Sequence, residues 1–205
     1  MILRLYQYYK CLSPSKKIVR GNLMALSPNE RKIFYSHFLG LLSHINDKYN
    51  LIPSFGHPKN PEGLCIEEII TLKNKLWGNV KIIDKYVDSI KKIPKEQIQI
   101  VKEWKKKISG RFIIVKHLKN YSVFLDSEND LLYGVIGLNN PISDLIPDVM
   151  LPVMADAVLL PFNDVIIYDS VLYTLNVQFG PHIRKTFKEQ YTEIKKEKGI
   201  IVSIE

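Results

Sequence analysis

The stretch from Leu151 to Gly180, LPVMADAVLLPFNDVIIYDSVLYTLNVQFG, restricts the fold more than any other part of the chain, because it is the longest apolar and β-branched run. Val153 to Leu160 and Val165 to Tyr168 are rich in strand formers, and Pro161, Phe162, Asn163 and Asp164 supply turn chemistry between them. The pattern predicts a hairpin. Runs such as Val158-Leu159-Leu160 and Val165-Ile166-Ile167 do not alternate, so both arms are expected in a sheet covered on each face.

Strand periodicity begins upstream of this hairpin, at Ser109-Gly110. Arg111 to Lys116, Tyr121 to Asp126 and Leu131 to Leu138 read as three short strands, separated by the turn formers Lys119-Asn120 and Ser127 to Asp130. Five or six short strands over about seventy residues suit a small closed barrel, which removes exposed edges. After Gly180-Pro181, a stripe of Ile183, Phe187, Tyr191 and Ile194 predicts a final helix.

The first half has helical periodicity instead. Ser27, Pro28 and Glu30 make an S-x-x-E capping box with proline at the first helical position, and Phe34, Phe38, Leu41, Ile45 and Tyr49 continue as one stripe to about Asn50. A loop rich in proline and glycine, Leu51 to Gly63, interrupts the pattern. Helices follow from about Leu64 to Gly78, from Asn79 to Ile90, and from Pro94 to Ile108. Trp77 and Trp104 fall on apolar faces and read as packing anchors rather than stacking platforms for bases.

The expected fold is α+β: a small helical bundle, a small antiparallel barrel of SH3-like or related type, and a terminal helix. The expected divisions are a basic extension at residues 1–26, a helical domain at 27–108, a barrel-like domain at 109–180, and a helix at 181–205 packing on the barrel. With 205 residues, of which 46% are hydrophobic, the chain is long enough to bury such cores.

The net charge of +8 is unevenly placed. Residues 1–28 carry 5 basic and 0 acidic side chains, residues 29–107 carry 15 and 9, residues 108–180 carry 3 and 8, and residues 181–205 carry 6 and 4. A basic helical half offers a surface for nucleic acid or an acidic protein, but lysine outnumbers arginine, which also fits plain solvated helix faces. Cys11 and Cys65 form no metal or disulfide pattern, and no segment is apolar enough for a signal or a membrane span. The expected setting is the cytoplasm, with no membrane partner.

No P-loop, GxSxG, HExxH, dinucleotide fingerprint or paired Cys/His motif occurs, so no cofactor or metal is expected. His37 and His44, seven apart on one helix, and His57 in the loop read as ordinary histidines. The best cluster for a site combines Tyr168 and Asp169 at a strand end with His182, Arg184 and Lys185 at the start of the last helix, where free amides and the helix dipole favour an anion.

The segments SPNERKIFYSHFLGLL from Ser27, WKKKISGRFIIVKHLKNYSVFL from Trp104, and LLPFNDVIIYDSVLYTLNVQFGPHIRKTFKEQY from Leu159 together resemble an uncharacterised family of bacterial proteins, mainly from Firmicutes. The resemblance spans roughly residues 24 to 200. It implies bacterial origin and an intact architecture, and it brings no activity and no catalytic residue. It also implies Met24 as an alternative start, leaving residues 1–23 as an extension.

Two functional readings follow. One is a non-enzymatic interaction module that binds protein or nucleic acid; a surface patch around Met150, Met154 and Phe162 would favour docking. The other is a small hydrolase or ribonuclease with a cleft between the barrel and the last helix, which requires Arg111, His117, Asp169, His182 and Arg184 to converge.

Overall fold

The computed structural model describes residues 24–52, 65–90 and 93–205, so Cys11, His57, the extension 1–23 and the centre of the proline-rich loop lie outside the described residues. Of the described residues, 32–52, 65–90 and 93–94 form one compact unit, and 24–31 with 95–205 form a second. The helix Lys95–Glu103, expected within the bundle, belongs to the second unit with the strands.

The helical unit is built on α1 (Pro28–Tyr49), of which residues 32–49 belong to this unit. The capping box is formed: the Ser27 amide donates to Glu30 Oε2 at 2.8 Å and the Glu30 amide to Ser27 Oγ at 3.4 Å. Phe34, Phe38, Leu41, Leu42 and Ile45 are fully buried. α2 (Ile66–Gly78) places Trp77 against Phe38 at 6.5 Å between ring centroids, and α3 (Ile82–Ser89) places Tyr86 beside both His37 and His44. Burial alone pushes the Tyr86 phenol up to about 12.

The second unit opens with α4 (Lys95–Glu103) and a 3₁₀ turn that buries Trp104 completely. Strands β1 (Ile108–His117), β2 (Ser122–Asp126) and β3 (Leu131–Val135) follow as a meander. A connection carrying the short α5 (Ile142–Leu145) leads to β4 (Val153–Phe162) and β5 (Val165–Tyr168), which pair through a two-residue turn with Asn163 at φ 53°. A two-residue β6 (Tyr173–Thr174) and α6 (Pro181–Glu197) complete the chain.

The first five strands close a ring in the order β1-β2-β3-β5-β4, with β1 and β4 paired over seven residues from Ile108↔Leu159 to Ile114↔Val153. The small barrel expected from the sequence is therefore present. The expectation that it is antiparallel holds for every pairing in the ring but one: β3 and β5 run parallel at Val135↔Ile166. The reason is parity. Up and down cannot alternate around a closed ring of five, so one neighbouring pair must run the same way. β1 is antiparallel to both β2 and β4, which leaves β3 and β5 with the same direction. The result is a closed five-stranded barrel that mixes four antiparallel pairings with one parallel one.

Phe112, Phe124 and Tyr133 meet inside, with centroids 6.0 Å apart between Phe112 and each of the others. Outside, Ile113, Val123, Leu125 and Leu132 form a second apolar layer closed by Phe187, Tyr191 and Ile194 of α6. The tail then adds a short parallel bridge to β3: the Ile201 amide donates to the Leu132 carbonyl and the Gly134 amide to the Ile201 carbonyl, both at 2.8 Å. β2 is accordingly buried on both faces. β4 alternates over Val153–Val158 and is buried on both sides only from Leu159 onward, so the expected double cover holds for its last four residues of ten.

Candidate functional site

The residues singled out from the sequence occupy separate parts of the second unit. Tyr168 and Asp169, at the end of β5, are fully buried, and the Asp169 amide donates to the Val158 carbonyl at 3.0 Å. His182 and Lys185 are exposed on α6, with Lys185 Nζ 3.7 Å from Glu189 Oε1. The two halves of the expected cluster thus differ in exposure: one is core, the other solvated.

Arg184, expected to hold an anion, is engaged by the chain itself. Its Nη1 donates to the Leu151 carbonyl at 2.7 Å and its Nε to the Phe179 carbonyl at 2.9 Å. The guanidinium fork, with its several fixed donors, suits this two-carbonyl bridge.

Arg111 and Asp156 are register partners across β1 and β4, and their side chains pair through two contacts of 2.8 and 3.1 Å. His117 has Nδ1 2.7 Å from Ser122 Oγ and Nε2 2.7 Å from the Ile146 carbonyl. A carbonyl only accepts, so Nε2 carries the proton toward Ile146, and in the neutral ring Nδ1 accepts from the serine hydroxyl. Arg111, His117 and Arg184 therefore direct their hydrogen bonds to Asp156, Ser122, Ile146, Leu151 and Phe179, not to one another. Each fastens one segment of the barrel to the next.

Among the described residues no group of three or more His, Cys, Asp or Glu side chains is placed to hold a metal ion. A shallow hollow along the outer face of α6 is lined by Lys185, Lys188, Glu189, Thr192, Glu193 and Lys196. These are alternating charges on one solvated helix face, and they converge on no common point.

The surface has a different feature at the start of β4 and α6. Val149 is 88% exposed, Met150 and Tyr173 50%, Val177 46% and Ile183 43%. Arg184 links the backbone segments that carry them, because its two carbonyl partners end the 148–150 turn and the 173–179 segment. Of the three residues that pointed to docking in the sequence, Met150 belongs here, Met154 is partly buried against the layer under α6, and Phe162 is fully buried. Tyr173 and Val177 were missed, although the alternation of apolar and polar residues from Tyr173 to Phe179 was a readable signal.

Compared with protein-family models, curated proteins and solved structures, the chain has no match. No helix among the described residues is long and apolar enough to cross a membrane.

Proposed function

We propose that this protein is a non-catalytic binding module of the bacterial cytoplasm, and that its partner is a protein. One observation carries the reading: exposed apolar residues, Val149, Met150, Tyr173, Val177 and Ile183, on segments that Arg184 bridges. Exposed apolar side chains on bridged segments, one of them without a charge from Ser170 to Pro181, suit a surface that another protein covers.

The nucleic-acid reading draws on the basic residues of the helical half and on barrel type. Some five-stranded barrels receive oligonucleotides on the face of strands 2 and 3, but here Phe187, Tyr191 and Ile194 lie over it. The hydrolase reading needs Arg111, His117, Asp169, His182 and Arg184 in one cleft, and against it Arg111, His117 and Arg184 each bond a neighbouring segment. An exposed, unpaired Cys65 fits a reducing cytoplasm.

The test is a photo-reactive phenylalanine analogue placed at Val177, with the turn residue Lys119 as the control position, activated in cells expressing the full chain. The reading predicts discrete protein adducts from position 177 and none from 119. Adducts to nucleic acid alone, or equal background from both positions, overturn it.

A further inference from the structure

Residues Tyr173 to Gly180 alternate strictly: Tyr173, Leu175, Val177 and Phe179 are apolar, while Thr174, Asn176, Gln178 and Gly180 are not. That is the side-chain period of a strand about eight residues long. Only Tyr173 and Thr174 form one, pairing with Asp156 and Ala155 of β4, and the Leu175 amide adds a 2.9 Å bond to the Met154 carbonyl. From Asn176 to Gly180 the chain has no regular structure, and the Val177 amide turns back to the Leu175 carbonyl. A segment patterned as a strand is thus paired over a quarter of its length.

β6 is the outermost strand of the sheet, with β4 on one side and no strand on the other among the described residues. In an antiparallel ladder successive residues direct their backbone groups to opposite sides. With Leu175 bonded to β4, the amide and carbonyl of Thr174 face outward, and in an extended chain those of Asn176 and Gln178 face outward with them. Proteins protect such edges with lysine, proline or a bulge. Between Val171 and Phe179 there is no charged residue and no proline.

Resting on the docking reading above, we propose that the occupant of this edge is a second copy of the same chain. The two segments 173–179 pair antiparallel about a two-fold axis at Asn176. The register is self-complementary. It sets Thr174 opposite Gln178 and Asn176 opposite its own copy, so that all three outward-facing backbone positions find partners. On the other face it sets Tyr173 opposite Phe179 and Leu175 opposite Val177, aromatic against aromatic and aliphatic against aliphatic. A two-fold contact of this kind presents one patch to itself. Each chain carries a net charge of +8, and an uncharged edge is where two such molecules meet without opposing like charges. The same lack of charge gives a nucleic acid or a charged peptide nothing to pair with.

Sedimentation velocity over a concentration series tests the pairing, using the full chain and the variants Val177→Lys and Val177→Glu. Val177 is 46% exposed, so both variants are expected to keep the wild-type circular dichroism and melting temperature. The wild type should form a concentration-dependent dimer. Either variant alone should weaken dimerisation by about a hundredfold, because like charges then meet across the axis, and an equal mixture of the two should recover most of it. A wild type that stays monomeric, or a dimer indifferent to both variants, overturns the pairing. Monomeric wild type together with Val177 cross-links to a different protein leaves the docking reading in place, so the two failures are distinct.

Discussion

Arg184 Nη1 donates to the carbonyl of Leu151, 33 residues earlier in the chain, at 2.7 Å, while Nε of the same guanidinium donates to Phe179. One side chain therefore fixes the entry to β4 and the approach to α6 together. Arg184→Ala is expected to lower stability in urea denaturation by about 1–2 kcal/mol, and Arg184→Lys to recover little, since an ammonium lacks the fork needed for both carbonyls. If Arg184 were instead an anion ligand, the alanine variant would keep its stability and lose phosphate binding, which a phosphate titration followed by calorimetry would detect.

Tyr86 is expected to add a decline in the stability of the helical unit at alkaline pH. Its phenol titrates near 12 in the folded chain against an ordinary value of 10.0, because burial disfavours the phenolate. The folded state then holds its proton where the unfolded state has begun to lose it. The associated stability is complete below pH 10 and falls as pH rises toward 12, by about 2 kcal/mol in all. Tyr86→Phe should flatten this decline while changing neutral-pH stability by about 1 kcal/mol or less, since the Tyr86 Oη contact to His37 Nδ1 is long, at 3.4 Å. Guanidinium denaturation between pH 8 and 12 measures both slopes.

Gly137 and Gly78 should respond to alanine with opposite signs. A Cβ on Gly137 would lie 1.8 Å from the Asn140 carbonyl oxygen, and the Gly137 amide and carbonyl are both engaged, with Met24 at 2.7 Å and Leu26 at 3.0 Å. The backbone there must shift, so Gly137→Ala is expected to cost about 3 kcal/mol. Gly78 ends α2 with nothing within 4 Å of its would-be Cβ. Gly78→Ala should stabilise by about 0.5 kcal/mol, because alanine loses less backbone freedom in a helix. Thermal denaturation of the two variants beside the wild type checks the contrast.

Much of the fold was legible because local chemistry and tertiary structure agree. The Ser27–Glu30 box starts α1 where the side chains dictate, Val165 to Tyr168 is a strand as read, and Pro181 opens α6. What escaped depends on relations between distant segments. The parallel β3–β5 pair follows from closing an odd ring, which no single strand's pattern encodes. α4 has an amphipathic stripe that reads the same whichever core it covers, and it sits with the strands.

The site was less legible for a related reason. Arginine and histidine near a helix start or strand end carry the same sequence signature whether they hold a ligand or a backbone carbonyl. Only the folded structure pairs Arg184 with Leu151 and His117 with Ile146. The alternation after Tyr173 was visible in the sequence, but its significance lies in the lack of a second neighbouring strand among the described residues.

The central claim is that the outer edge of residues 173–179 is a strand-pairing surface. Amide hydrogen exchange at Thr174, Asn176 and Gln178, followed by nuclear magnetic resonance at high and low protein concentration, tests it most directly. The account predicts that these three amides, which face away from β4 in the paired form, exchange fast in dilute protein and become protected by about tenfold or more as concentration rises. Fast exchange at every concentration, or protection at high concentration confined to other surfaces, would contradict it.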